Sequence, residues 1–196
     1  MRLTTTLFAF LIALFFSLNS WASHIIGGEI YYDSLGNNQY KITIEIYRDC
    51  NSATNFDNPL NYTIFAANGS IYSVRYIAPF SQNILPIVYD DPCVTVPNDI
   101  CVERAIYVDT VTLPFSVQGY YVSYQRCCWT GAIDNIIDPA SNGITLTTFI
   151  PGSALVGVHN QGARFNNYPP LILCSQNTLN FDHSAFDPDG DSLSYE

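Results

Sequence analysis

The stretch Gln39–Cys50, QYKITIEIYRDC, constrains this chain more than any other. Tyr40, Ile42, Ile44 and Ile46 fall on one parity, and Lys41, Thr43, Glu45 and Tyr47 on the other. Successive side chains of an extended strand point to opposite faces, so this period of two predicts a half-buried β-strand. β-Branched and aromatic residues fill it almost throughout, which suits a pleated surface. The run ends in Cys50, so the strand is expected to be both packed and covalently tied. Other segments of like character then read as its partners.

Residues 29–47 read as a β-hairpin turned by the polar cluster DSLGNN. Ahead of it, Gly27-Gly28 separates two apolar pieces and reads as a bulge or bend. Asn61–Ala66 and Ser70–Ile77 flank Asn68-Gly69, a strong hairpin signal. Prolines at 79, 86, 92 and 97 make the next stretch mostly loop or edge. Further strands are expected over Val102–Leu113, Gly119–Trp129 and Gly143–Ile150. No window holds a helical period. Short strands punctuated by Gly, Pro and Asn point to an all-β antiparallel sandwich or barrel.

The first residues read as a leader. Arg2 is followed by the apolar run Leu7–Leu18, and Ser20-Trp21-Ala22 offers small residues before a cut at Ser23. The run is short for a membrane span of about 20 residues. A signal peptide over 1–22 is therefore expected, with no membrane span after cleavage. The chain carries a net charge of −10, and losing Arg2 makes it one unit more negative. Such a surface repels phosphates and anionic lipid, which argues against nucleic acid or membrane as partner.

All six cysteines follow the leader, and an even count in an exported chain favours disulfides. Cys93 and Cys101 bracket one loop and are expected to pair. Adjacent residues on a strand face opposite ways, so Cys127 and Cys128 are expected to take separate partners, Cys50 and Cys174, in an unassigned order. Zinc is the rival reading, but no CxxC spacing is present. Near Ser175 the composition shifts, and 176–196 reads as the truncated start of a second module after a sandwich domain over 23–175. Asp187, Asp189 and Asp191 alternate around Pro188 and Gly190, with Glu196 beyond them. Carboxylates spaced this way can converge on calcium, and the same sequence is equally an acidic β-turn.

His24, His159 and His183 are scattered, and no G-x-S-x-G, HExxH or G-x-G-x-x-G motif occurs. No catalytic residue is expected. The many tyrosines fill strands or form a sugar- or protein-binding face.

Several stretches together resemble one family. SHIIGGEIYY, NNQYKITIEIYRDC, FDNP, GYYVSYQRCCW, NNYPP and FDHSAFDPDGDSLSYE occur in order and cover nearly all of the chain after the leader. They resemble the amino-terminal region of large Bacteroidetes surface proteins of the gliding-motility-associated, type IX-secreted kind. The resemblance implies an immunoglobulin-like β-sandwich with disulfides, running into a cadherin-like or PKD-like module. It implies calcium at Asp187, Asp189 and Asp191. It also implies partners among other β-sandwich modules of the same protein, or among cell-surface glycans and proteins. The expected location is secreted or cell-surface, or periplasmic for a chain without its sorting domain. The expected function is a non-enzymatic adhesion or gliding-associated module. A carbohydrate-binding module is the alternative, and a secreted hydrolase stands third.

Overall fold

The computed structural model describes residues 25–87, 95, 97, 99–131, 133–152, 159–173 and 178–195. The leader, His24, Cys93, Cys174 and Glu196 lie outside the described residues. The strands are β1 (Ile25–Gly36), β2 (Gln39–Asp49), β3 (Leu60–Ala66), β4 (Ile71–Ile77), β5 (Pro79–Ile84), β6 (Val102–Thr112), β7 (Tyr120–Cys127) and β8 (Gly143–Ile150). Two short strands follow, β9 (Arg164–Phe165) and β10 (Ala185–Phe186). One turn of 3-10 helix at Pro139–Ser141 is the only helical element among the described residues.

The first sheet runs β1-β2-β6-β5 and the second β4-β3-β7-β8, with antiparallel neighbours throughout. Lettered in chain order, these are the A-B-E-D and C′-C-F-G sheets of an immunoglobulin sandwich. Tyr120 opens the F strand and donates its hydroxyl to the Pro114 carbonyl at 3.0 Å. That bond is the tyrosine corner characteristic of such sandwiches. The expected all-β sandwich is therefore present. β5, expected as loop or edge because of its prolines, is an edge strand.

Alternation builds the core. Ile42, Ile44 and Ile46 of β2 are buried and face Leu60, Tyr62, Ile64, Val122 and Tyr124 across the sandwich within one apolar cluster. One expectation needs amending: β2 is not half-buried. Thr43 and Glu45 on its other parity are also buried, at 4% and 5% exposure, because residues beyond β8 fold back over that face.

The cysteine pairing differs from expectation. Cys101 bonds Cys50, not Cys93, with Cα atoms 5.4 Å apart. Sheet register explains this. Asp49 sits opposite Val102 in the β2–β6 pair, so the next residue on each strand meets its counterpart. Nearness along the chain loses to nearness across the sheet. Cys127 and Cys128 bond each other rather than taking separate partners. β7 ends at Cys127, so the opposite-face argument stops applying there.

Candidate functional site

The outer face of the second sheet is built from alternate residues of four strands. Tyr62 and Ile64 point inward, which leaves Asn61, Thr63 and Phe65 outward. Register carries that parity across the sheet. One row reads Ile71, Phe65, Tyr121, Phe149, and the next reads Val74, Thr63, Ser123, Thr147. Beyond them lie Tyr76 with Asn61, and Gln125 with Thr145. The first row is a bare apolar ledge: Ile71 is 64% exposed, Tyr121 42% and Phe149 39%. The rings of Tyr121 and Phe149 lie 4.7 Å apart. The second row is largely hydroxyl, with Ser123 Oγ and Thr147 Oγ1 bonded at 3.1 Å.

Among the described residues, the strands present no charged side chain on this face. The arginines of its strands lie on the inward parity and are paired there. Arg75 bridges to Asp109 at 2.9 Å and Arg126 to Asp57 at 3.1 Å. Burial opposes ionisation of Asp109, but the bonds from Arg75 and Tyr62 outweigh it and hold the carboxyl below its ordinary value. In a chain of net charge −10, a neutral four-strand face is a marked local departure.

The outer face of the first sheet is the opposite. Glu29 and Glu45 stand directly across from each other on β1 and β2, with Tyr31 and Tyr47 on the adjoining positions. Glu45 accepts hydrogen bonds from Tyr31 (3.2 Å), Tyr47 (3.3 Å), Arg104 (3.3 Å) and Tyr168 (3.4 Å). Arg104 also donates to the Tyr168 hydroxyl at 2.6 Å. Arg164 pairs with Asp33 and lies over the Tyr31 ring at 4.7 Å. Burial first, then Glu45, pushes the Tyr31 phenol up to about 12, so it remains a donor. Glu29 is raised above its ordinary value by burial and then by Glu45 opposite, against Tyr47, Arg104 and Arg164.

Beside this network is a cavity of about 260 Å³. Tyr47, Phe165, Tyr168 and His183 supply its rings, Leu85, Val102 and Leu171 its aliphatic wall, and Glu29 its carboxylate. Apolar cavities with a few convergent polar groups are the usual form of small-ligand sites.

The residues expected to bind calcium sit elsewhere. Asp187 Oδ1 accepts from the backbone N–H of Asp189 at 2.8 Å, closing an acidic turn. Asp189 accepts from the Gln161 N–H at 2.6 Å, and Asp191 from the Asn160 amide at 3.3 Å. Among the described residues, no group of three or more His, Cys, Asp or Glu side chains is placed to hold a metal ion. Asp187 closes the turn, and Asp189 and Asp191, together with the β9–β10 pair, fasten the tail to the segment that covers the first sheet. His159 has its ring near Gly36, and His183 stacks on Phe165 at 4.8 Å. Sequence reasoning did not find the Glu29–Glu45 pair. The signal was present in the hairpin, where the DSLGNN turn sets which residues of β1 and β2 stand opposite.

Comparison with protein-family models, with curated proteins and with solved structures finds no significant match to this chain.

Proposed function

We propose that this chain is a non-enzymatic, exported recognition module of an adhesive or gliding-associated surface protein. It grips its ligand with the outer face of the second sheet. The observation that carries this reading is the neutral ledge of Ile71, Phe65, Tyr121 and Phe149 beside the hydroxyl row of Thr63, Ser123 and Thr147. Export is supported by the leader sequence and by the disulfides, which persist in oxidising compartments.

The same face favours a carbohydrate as ligand. Sugar rings stack their C–H faces on aromatic rings and exchange hydrogen bonds with hydroxyl and amide groups, and neutral glycans need no counter-charge. A glycan array probed with the purified protein tests this. Binding to neutral glycans is expected, with at least about a tenfold loss on replacing Tyr121 and Phe149 by serine. A double variant that bound as well as the parent would overturn the assignment of the face. Turnover of a glycan or peptide by the purified protein would overturn the non-enzymatic reading.

Calcium belongs to this proposal as an accessory ligand of the Asp187–Asp191 turn, as the family resemblance implies. A calcium-dependent rise in melting temperature that Asp189→Asn abolishes is the result expected.

A further inference from the structure

We propose a second ligand site: the cavity on the first sheet binds a small organic cation, an ammonium group with an apolar body. Among the described residues, Glu29 forms no ion pair within contact distance. Its polar partner is the Tyr47 hydroxyl at 3.5 Å, a long contact, and it faces a second carboxylate on Glu45. The nearby cations are committed elsewhere. Arg104 is held by Glu45 and Tyr168, and Arg164 by Asp33. Arg104 and Arg164 offset part of the charge of this pair, but burial and the facing Glu45 outweigh them at Glu29, which leaves a net negative potential at the cavity wall.

The lining selects the kind of cation. Tyr47 and Tyr168 meet edge-to-face with centroids 6.0 Å apart, and Phe165, Leu85 and Val102 line the same cavity. Aromatic faces attract alkylammonium groups through their quadrupoles, most strongly where water is excluded. Calcium fits poorly, because it asks for six to eight oxygens and the side chains lining this cavity offer one carboxylate, one amide and two phenols. A volume of about 260 Å³ suits a compact ligand of a few heavy atoms. This site is separate from the neutral face of the second sheet, and either can fail without the other.

Isothermal titration of the purified protein with choline, and with its uncharged tert-butyl carbon analogue, tests the assignment. A lysine amide acetylated on its α-nitrogen, run in parallel, separates a free small molecule from a partner's side chain. Saturation by choline or the lysine probe is expected, with the uncharged analogue at least about tenfold weaker. Glu29→Gln is expected to remove that preference while leaving the fold intact, since it deletes one of two opposed charges. Tyr168→Phe keeps the ring and is expected to retain cation binding. The proposal is overturned if charged and uncharged probes bind equally, or if Glu29→Gln binds choline as tightly as the parent. Saturation by no probe, or displacement of choline by calcium, overturns it as well.

Discussion

The two outer faces of this sandwich are made by the same device, alternate residues of four antiparallel strands, and end in opposite states. The first sheet presents Glu29, Asp33, Glu45, Lys41 and Arg104, and these charges are covered by a returning segment that brings Arg164 and Tyr168 to meet them. The second presents no charge among the described residues, and Tyr121 and Phe149 on it stay largely exposed. Exposure therefore does not follow polarity here. The charged face is closed because its network needs partners from elsewhere in the chain to satisfy buried groups, and the neutral face is open. The first face is thus held by a structural network, with the proposed cation cavity beside it, and the second is left open as the proposed recognition ledge. Among the described residues, the first sheet carries the long-range covalent tie, Cys50–Cys101, and the second the local Cys127–Cys128 bond.

That division makes unequal demands on mutation. Replacing Cys50 and Cys101 together by serine should cost the most, about 4 kcal/mol. The bridge closes a loop across a sequence separation of 51, and loop entropy in the unfolded chain grows with that length. Urea denaturation should show the loss, and a loss under about 1 kcal/mol would mean the first sheet does not depend on its covalent tie. Arg104→Ala comes next, at about 3 kcal/mol, because it leaves Glu45 buried without its cation. The same titration checks it. If Arg104→Ala proved neutral, the first face would not be the structural one and the contrast would collapse.

The strands themselves were legible because alternation is written locally: β2, β3, β4, β6, β7 and β8 begin and end within a few residues of where parity and turn signals place them. What joins strands that are distant in sequence was not. Cys101 takes Cys50 because β2 and β6 pair, and no local spacing encodes that register. Glu45 reads as solvent-facing from its parity, yet is buried because residues 160–168, which carry no strand pattern, return over it. The FDNP stretch carried a family resemblance but no physical reason. The structure supplies one: Asp57 accepts from Tyr124 at 3.2 Å and from Arg126, its carbonyl takes the Tyr107 hydroxyl, and Phe56 lies under Arg48. The neutral face was half visible. Each of Phe65, Tyr121 and Phe149 lies on an outward parity, but only the cross-strand register lines them up.

Two smaller effects sharpen the contrast. Tyr120→Phe removes the tyrosine-corner hydroxyl and leaves the Pro114 carbonyl without its partner, for a loss of about 1 kcal/mol in the same denaturation experiment. Glu29→Gln should act in the other direction and stabilise by about 0.5 kcal/mol at neutral pH, since like charges directly across a sheet repel. Its pH signature is specific. The folded protein holds the Glu29 proton more tightly than the unfolded chain does, so its carboxyl titrates above 4.5 in the fold. Stability from this group is fully present below 4.5 and lost as pH rises through the raised value. Asp109 works oppositely, giving stability above 3.8 that is lost as pH falls through its lowered value. Melting curves across this range should therefore lose the Glu29 component, and keep the Asp109 component, in Glu29→Gln.

The smallest expected stability change is also the most informative about function. Replacing Tyr121 and Phe149 by serine strips two exposed rings from the second face, and exposed substitutions with no buried partner stay within about 0.5 kcal/mol. Their ring centroids lie 4.7 Å apart on the outer row, while the core beneath is filled by Tyr120, Val122 and Ile150 on the opposite parity. Unchanged melting with lost ligand binding would establish that the rings are kept for recognition. A large loss of stability would show instead that the ledge holds the sheet together, and the two faces would then differ in chemistry but not in purpose.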